Sequence, residues 1–269
     1  MNTEPASSPA NSEPPADPGD AAGLLEHLSR YVPSLVISQL AATHRAPAAP
    51  LVQHGLAAVL FADITGFTSL ADGLTRQGPA GTETLSQVLN TYFGQLTALI
   101  NAHGGDVLKF AGDALVAVWM ADDEAGLAAT ALRAAHCALV IQERLHRYRV
   151  GTVALTMRIA LAAGPISAVH LGGLHGRWEF TLLGEAMSQV AEAEGHAEPG
   201  EIVLAAPVCQ MAGDAIDCAP LGGGYQRLLR VRATPPEVAL HPAALPPAAI
   251  DRLRAYIPEV VLARIAANQ

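Results

Sequence analysis

The chain has 269 residues, 51% of them hydrophobic, which is enough to bury one sizeable core without a disulfide or a structural metal. A formal net charge of -9 argues against non-specific attraction to nucleic acid or to an anionic membrane. Cys137, Cys209 and Cys218 lack both the close spacing of a zinc site and the density of a secreted scaffold, so we expect reduced thiols in a cytoplasmic protein.

The N-terminal region divides into a tail, a helical segment and a linker. Residues 2–20 are rich in Pro, Ala, Ser, Asp and Glu without a large apolar residue, which predicts a disordered tail over 1–20. Residues 21–50 read as leader helices and a linker, with Pro33 near the first turn of a second helix. The start has no signal peptide, and charged and polar residues interrupt the apolar stretch Ala125–Ile141, so no membrane span is expected.

Residues 51–245 show an alternation of strand and helix patterns that predicts one folded domain, large enough to be a catalytic domain. The predicted strands are Ala57–Ala62, Val107–Phe110, Leu115–Trp119, Val153–Ala163, Arg177–Leu183 and Glu201–Ala205, and the predicted helices are Thr82–Ala102, Ala125–Arg147 and Glu185–Glu194. A hairpin between two helices is typical of an α+β fold, an α/β sandwich with a ferredoxin-like β-α-β-β-α-β core and added strands.

A short internal repeat links the two ends of the chain. The segment from Leu28 to Leu40 shares Leu, Tyr, Pro and Val with the segment from Leu253 to Ile265 at matching places. Two unrelated amphipathic helices with a proline at the start would give the same pattern. The alternative is a leader segment that is repeated, so that residues 246–269 begin a linker toward a second domain.

Two segments carry carboxylates where strands end. Asp63 follows a buried apolar strand and precedes the small, turn-forming stretch that leads to Thr68. Asp113 lies at the tip of the hairpin that follows Gly104-Gly105-Asp106. Carboxylates are hard oxygen ligands, and backbone N–H groups at a helix start bind phosphate. If the two strands are neighbours, Asp63 and Asp113 converge on a two-metal site for phosphoryl displacement; capping of a turn is the alternative for Asp63.

These two segments resemble the paired metal motifs of class III adenylate and guanylate cyclases. The likeness is closest to the first catalytic domain of the soluble, bicarbonate-responsive adenylate cyclases, and it extends over about residues 28–265. It includes Ala162-Ala163-Gly164-Pro165-Ile166-Ser167 and the stretch from Phe180 to Met187. The resemblance implies a class III cyclase core with an N-terminal leader helix, two Mg²⁺ ions with Mn²⁺ as an alternative, and ATP as substrate.

The resemblance implies a role for each matching residue. The implied catalytic metal ligands are Asp63 and Asp113, joined by the backbone carbonyl of Ile64. The implied phosphate-binding residues are Ile64, Thr65, Gly66, Phe67, Thr68 and Arg158. Lys109 matches a lysine that helps bind the activator in the bicarbonate-responsive branch. Pairing of Arg158 with a surface acid, and solvation of Lys109 on a strand edge, are the alternatives.

The sequence departs from the family on the helix after Gly184. Self-sufficient homodimers of the family carry there an Asn and an Arg that contact the transition state, and this chain has Ser188 and Glu192. The arginine used by the bicarbonate-responsive branch aligns with Ala191, which puts bicarbonate sensing in doubt. We therefore expect a half-domain that makes cyclic AMP and pyrophosphate only with a complementary cyclase domain, in tandem or on a separate chain. A catalytically inactive regulatory or nucleotide-binding module, and a guanylate cyclase, are the alternatives.

Overall fold

A computed structural model describes residues 18–43, 45, 47–236, 238–241 and 243–267. The helices are α1 (Pro18–Ser29), α2 (Ser34–Thr43), α3 (Phe67–Thr75), α4 (Pro79–Ala102), α5 (Glu124–Leu145), α6 (Glu185–Glu194), α7 (Ala206–Ala212), α8 (Ile250–Arg254) and α9 (Glu259–Ala267). The strands are β1 (Leu51–Thr65), β2 (Asp106–Ala111), β3 (Ala114–Ala121), β4 (Tyr148–Val150), β5 (Val153–Gly172), β6 (Trp178–Leu183), β7 (Ile202–Leu204), β8 (Ile216–Gly222) and β9 (Tyr225–Val231).

The sheet confirms the predicted ferredoxin-like core. Its strand order is β2-β3-β1-β5-β7-β9-β8, while β4 and β6 pair with β5 outside that path. The first four strands are antiparallel neighbours, and β1 lies between β3 and β5. This central place of β1 brings the end of β1, the β2–β3 turn and the start of β5 to one edge of the sheet.

The two faces of the sheet are covered by different helices. One face packs on α4 and α5, where Tyr92, Leu96 and Ile141 are wholly buried. The other face packs on α6 through Val190 and Ala193. Because side chains alternate along a strand, Ala62 and Ile64 point into the first core and Asp63 points to the face that carries α6.

The repeated segments near the two ends of the chain pack against each other. Their shared apolar positions form one buried cluster whose members are Leu28, Val32, Val36, Ile37, Leu40, Leu253, Ile257 and Ile265. The backbone turn is also repeated. The carbonyl of Pro33 accepts bonds from the two amides of the next turn at 3.0 and 3.2 Å, and the carbonyl of Pro258 does so at 2.9 and 3.0 Å. The sequence repeat is therefore also a repeat of local structure.

The leader segment is fixed to the catalytic core by a buried carboxylate. Asp106, at the start of β2, accepts a hydrogen bond from the amide of Leu35 at 2.9 Å and so caps the N-terminus of α2. Burial raises the pKa of Asp106, against the lowering effect of its bonds with Leu35 and Ser34. Asp106 is thus a structural residue that joins two parts of the fold.

Several elements differ from the predicted ones. Strands β1 and β5 are longer than predicted because their outer parts pair with each other from Leu51↔His170 to Ala57↔Gly164. Helix α7 and the hairpin β8–β9 were not predicted, and of α3 only the start was predicted. Most of the predicted disordered tail lies outside the described residues, and its last residues belong to α1, which begins at Pro18.

Helix α5 has the length and apolar composition that would allow it to cross a membrane. In the fold, however, it buries a row of small residues in the core beneath the sheet, including Ala131, Ala134 and Ala138. Burial of this kind is typical of a core helix.

Candidate active site

The two predicted metal-binding carboxylates lie at the same edge of the sheet. Asp63 is paired directly with Ala114, the residue after Asp113. The amide of Ile64 donates a hydrogen bond of 3.2 Å to the carbonyl of Asp113, which ties the end of β1 to the β2–β3 turn. The turn itself depends on Gly112, whose φ of 68° is in the left-handed region. Asp63 and Asp113, which are 50 residues apart in the sequence, are therefore adjacent in space.

The predicted phosphate loop forms the start of α3. Gly66 precedes the helix with φ 97°, and a Cβ there would lie 3.0 Å from the carbonyl oxygen of Ala154, so glycine is required. The first turn of α3 carries no acidic residue, and no side chain caps it. The amides of Phe67 and Thr68 precede the first intrahelical bond and are available to an anion.

Arg158 is bonded to the first of these carboxylates. It stands opposite Asp63 on β5, and its Nε and Nη2 atoms lie 2.8 and 2.7 Å from Asp63 Oδ2. The same Nη2 lies 2.7 Å from Glu194 Oε1 on α6. Burial lowers the pKa of Arg158, but the bond to Asp63 and the charges of Glu194 and Glu198 outweigh it, so the pKa is raised. Arg158 therefore pairs with two acids, Asp63 and Glu194, as the alternative interpretation of this residue predicts.

Lys109 lies apart from this group. It is exposed on the edge strand β2 and pairs with Val116, which faces the same side of the sheet as Asp63. Two strands separate it from Arg158 in the strand order. Lys109 therefore shares the face of the candidate site without belonging to its ion pairs.

The helix that departs from the family pattern has its polar groups bonded within the chain. The hydroxyl of Tyr225 on β9 donates a 2.7 Å hydrogen bond to Glu192 Oε2, and this acceptor raises the pKa of Tyr225. The ring of Tyr225 stacks on His196 with centroids 4.4 Å apart. Ser188 donates to the carbonyl of Gly184 at 3.4 Å.

The donor set fits Mg²⁺ held jointly by protein and substrate. Among the described residues, no group of three or more His, Cys, Asp or Glu side chains could hold a metal ion. Asp63, Asp113 and the carbonyl of Ile64 offer two carboxylates and one neutral oxygen. Mg²⁺ usually retains several waters and is bound through one or two carboxylates plus substrate phosphates, so such a sparse set suits it and Mn²⁺ better than Zn²⁺.

Sequence reasoning missed two residues of this region. Glu194 shares Arg158 with Asp63, and Tyr225 holds Glu192. Both contacts depend on how α6 lies across the sheet, so spacing along the chain gives no signal for them.

Comparison with known proteins gives the family of the fold. The family model described as the adenylate and guanylate cyclase catalytic domain matches residues 50–220. Adenylate cyclase type 10 from Homo sapiens is 27% identical over 186 residues, which are 68% of this chain and 11% of that protein. Adenylate cyclase 1 from Rhizobium meliloti is 28% identical over 172 residues, 61% of this chain and 24% of that protein. The chain thus spans about a tenth of the length of the human relative.

Solved structures share the fold. The adenylyl cyclase CyaB from P. aeruginosa has a TM-score of 0.56 at 22% identity, covering 68% of this chain and 97% of that one. The guanylate cyclase domain of RhGC from Catenaria anguillulae, solved in complex with GTP, has a TM-score of 0.55 at 23% identity, covering 66% of this chain and 99% of that one. The α+β fold is therefore that of cyclase catalytic domains.

Proposed function

The chain belongs to the adenylate and guanylate cyclase catalytic-domain family, and from this premise we propose that it is the metal- and phosphate-binding half of an adenylate cyclase. It would convert ATP into 3′,5′-cyclic AMP and pyrophosphate together with a complementary cyclase domain. Relatives named as adenylate cyclases support ATP over GTP as the substrate.

One observation carries the proposal. Asp63 and Asp113 stand side by side at the sheet edge, joined by the bond between the amide of Ile64 and the carbonyl of Asp113. Next to them in the chain, α3 begins without a cap or an acidic residue. Anionic oxygens for divalent cations beside free amides for phosphates are what binding of a metal–nucleoside triphosphate requires.

The reaction is an in-line displacement in which the ribose 3′-hydroxyl attacks the α-phosphate and pyrophosphate leaves. Bound divalent ions would lower the pKa of the attacking hydroxyl and neutralise charge on the leaving phosphates. Asp63, Asp113 and the Ile64 carbonyl would hold those ions. The stretch Thr65–Thr68 would bind and orient the phosphates, since positioning and charge stabilisation supply most of the catalysis in phosphoryl transfer.

A partner domain is required because α6 does not carry the Asn and the Arg that contact the transition state in the family. Ser188 and Glu192 stand where the family's self-sufficient members carry a donor and a cation, and Glu192 is bonded to Tyr225. A carboxylate repels a pentavalent phosphorane, and losing one transition-state donor typically costs about 10²–10³ in rate. The Asn and Arg must therefore come from a second cyclase domain.

The rest of the domain organisation follows from the same proposal. Residues 51–245 are the catalytic domain, and 246–269 begin a linker to a second domain, supported by the repeat of the leader turn at Pro258. Lys109 is proposed as an effector contact on the sheet face that it shares with Asp63. A cytoplasmic location is part of the proposal, as the resemblance to the soluble adenylate cyclases implies.

The proposal is tested by mixing the purified chain with a separate cyclase domain that carries Asn and Arg at the places of Ser188 and Glu192. Cyclic AMP and cyclic GMP are measured from ATP and GTP with Mg²⁺ or Mn²⁺. The expected result is cyclic AMP production by the mixture well above that of either component. A mixture no faster than the partner alone would leave a non-catalytic dimerisation module as the function, and cyclic GMP as the main product would make the chain a guanylate cyclase.

A further inference from the structure

A single guanidinium bridges two carboxylates at the candidate metal site. Both contacts of Arg158 with Asp63, at 2.7 and 2.8 Å, end on the same oxygen, Oδ2. The contact with Glu194 Oε1 is equally short, at 2.7 Å. Charge-assisted bonds of this length are among the stronger hydrogen bonds in proteins. One of the two carboxylate oxygens of Asp63 is thus already bonded to a cationic group.

The fold fixes the partners of Arg158 but leaves its side chain room to move. Arg158 and Asp63 are directly opposite on β5 and β1, so their backbones cannot separate without breaking the sheet. Glu194 ends α6, next to the wholly buried Ala193. The side chains of Arg158, Asp63 and Glu194 are 35%, 19% and 22% exposed, so water and ions reach the network. The guanidinium can therefore exchange one acid for another anion without any change of fold.

The positive charge of Arg158 disfavours the binding of a cation at Asp63. A cation that approaches Asp63 meets a guanidinium of the same sign at hydrogen-bond distance, and like charges so close repel each other. The oxygen that accepts two bonds from Arg158 also has less electron density to offer a metal. In the free chain, Arg158 and a divalent cation are thus competitors for one carboxylate.

We propose that Arg158 is a latch on Asp63 which lowers the affinity of the free chain for divalent cations, and that Glu194 is the positioning residue for this latch. The inference rests on the proposed function, because it takes Asp63 to be a metal ligand. Glu194 acts through Arg158: it holds the guanidinium on the α6 side of Asp63 and has no contact of its own with the metal.

The latch is tested with the whole chain and Mn²⁺ alone, without nucleotide, by following the electron paramagnetic resonance of free Mn²⁺ at fixed salt. Arg158→Ala should raise Mn²⁺ affinity about fivefold or more, the usual size of coupling between two sites. Arg158→Gln keeps most of the side-chain volume without the charge and should act in the same direction if the alanine variant folds poorly. Asp63→Ala should remove the gain.

A double-mutant cycle of Arg158→Ala and Glu194→Gln, with both single variants, tests Glu194: Glu194→Gln should change Mn²⁺ affinity more in the natural chain than when Arg158 is already replaced. Arg158→Ala with Glu194→Gln has the net charge of the natural chain, and it should bind Mn²⁺ within about twofold of Arg158→Ala alone. The matched control is Arg230→Ala, which removes an arginine paired with Asp217 at 2.6 Å on β9 and should leave Mn²⁺ affinity unchanged. Affinity that falls back when Glu194→Gln is added would make Glu194 itself a ligand and overturn its positioning role.

The two proposals fail in different ways. If Mn²⁺ binds, Asp63→Ala removes it, and the two Arg158 variants bind like the natural chain, the latch is wrong and the metal site stands. If no form of the chain binds Mn²⁺, Arg158→Ala included, the latch is wrong, because release of Asp63 then creates no site for the free ion; a metal site that is shared with the substrate phosphates is tested separately by the activity of Asp113→Ala in the mixture.

Discussion

The end of β1 and the end of helix α6 are joined through Arg158, but the other polar groups of the two regions differ in how they are bonded. At the end of β1, Asp63 is bonded to Arg158, but the neighbouring groups remain open to a ligand: α3 begins without a cap, and Asp113 lies half-buried beside the exposed Gly112. On α6 they are bonded within the chain, since Glu192 accepts from Tyr225 and Ser188 donates to Gly184. In the proposed function, the first region would receive metal and phosphate, and the second lacks the Asn and the Arg that would complete the reaction.

The difference teaches that a half-site can be recognised by its unsatisfied groups. A structural aspartate has its partners inside the protein, as Asp106 does at the N-terminus of α2. Asp113, seven residues later on the same hairpin, is an exception to this pattern: among the described residues its carboxylate has no bonded partner, while its backbone ties the hairpin to β1.

The largest effect is expected from Asp113→Ala in the mixture with a complementary domain. Cyclic AMP production should fall to the background of the assay, because the variant removes a metal ligand rather than core packing. Its thermal unfolding should stay within about 2 °C of the natural chain. Asp214→Ala, an exposed aspartate near β8, is the matched control and should keep full activity. Substantial residual activity in Asp113→Ala would refute the two-metal assignment.

The next effect is a gain rather than a loss. Ser188→Asn combined with Glu192→Arg restores the donor and the cation to α6 and should raise the activity of the chain without a partner by about 10²-fold. Ser188→Ala with Glu192→Ala removes the same side chains without supplying the groups and should give no comparable gain. Equal activities of the two double variants would show that α6 is not the region that limits the chain.

The sequence predicts elements that depend on local patterns, and it fails for those that depend on contacts between residues distant in the chain. The ferredoxin-like core, the β2–β3 turn and α6 were predicted because each depends on local apolar periodicity or turn residues. The outer parts of β1 and β5 were missed because residues 51–56 are partly polar. They form a strand by pairing with residues 165–170 of β5. The hairpin β8–β9 was missed because Pro220 and three glycines obscure its alternation.

The candidate site shows the same limit. Asp63, Asp113 and the start of α3 could be predicted because strand ends and turns can be read from the sequence. The ion pairs of Arg158 could not, since Glu194 reaches it only through the packing of α6 on the sheet. Whether an acid is a free ligand or a partner in an ion pair is decided by such tertiary contacts.

A smaller effect concerns bicarbonate. The bicarbonate-responsive branch that the sequence resembles uses an arginine where this chain has the exposed Ala191. Without that charge-assisted partner, bicarbonate at fixed pH should change the activity of the mixture by less than about twofold. Ala191→Arg should increase the response, with Ala191→Gln as the uncharged control. Strong, saturable activation of the natural chain would show that another cation has taken this role.

The smallest effect is expected from Tyr225→Phe, which breaks the bond to Glu192. The bond lies near the surface, so its loss should cost less than about 1 kcal/mol of unfolding free energy, measured by thermal or chemical unfolding. Because Glu192 raises the pKa of Tyr225, this stability is present below the ordinary phenol pKa of about 10 and is lost as the pH rises through the higher pKa of the folded state. A cost that persists above that range would mean that ring packing, not the hydrogen bond, holds Glu192.

The most direct test of the central claim uses a partner that cannot bind metal. The chain is mixed with a complementary cyclase domain that carries the Asn and the Arg but has alanines at its own pair of metal-binding aspartates, and cyclic AMP is measured. The account predicts activity in the mixture, none in either component, and none when this chain carries Asp113→Ala. An inactive mixture of well-folded, associated domains, or a fast cyclase reaction by this chain alone, would contradict it.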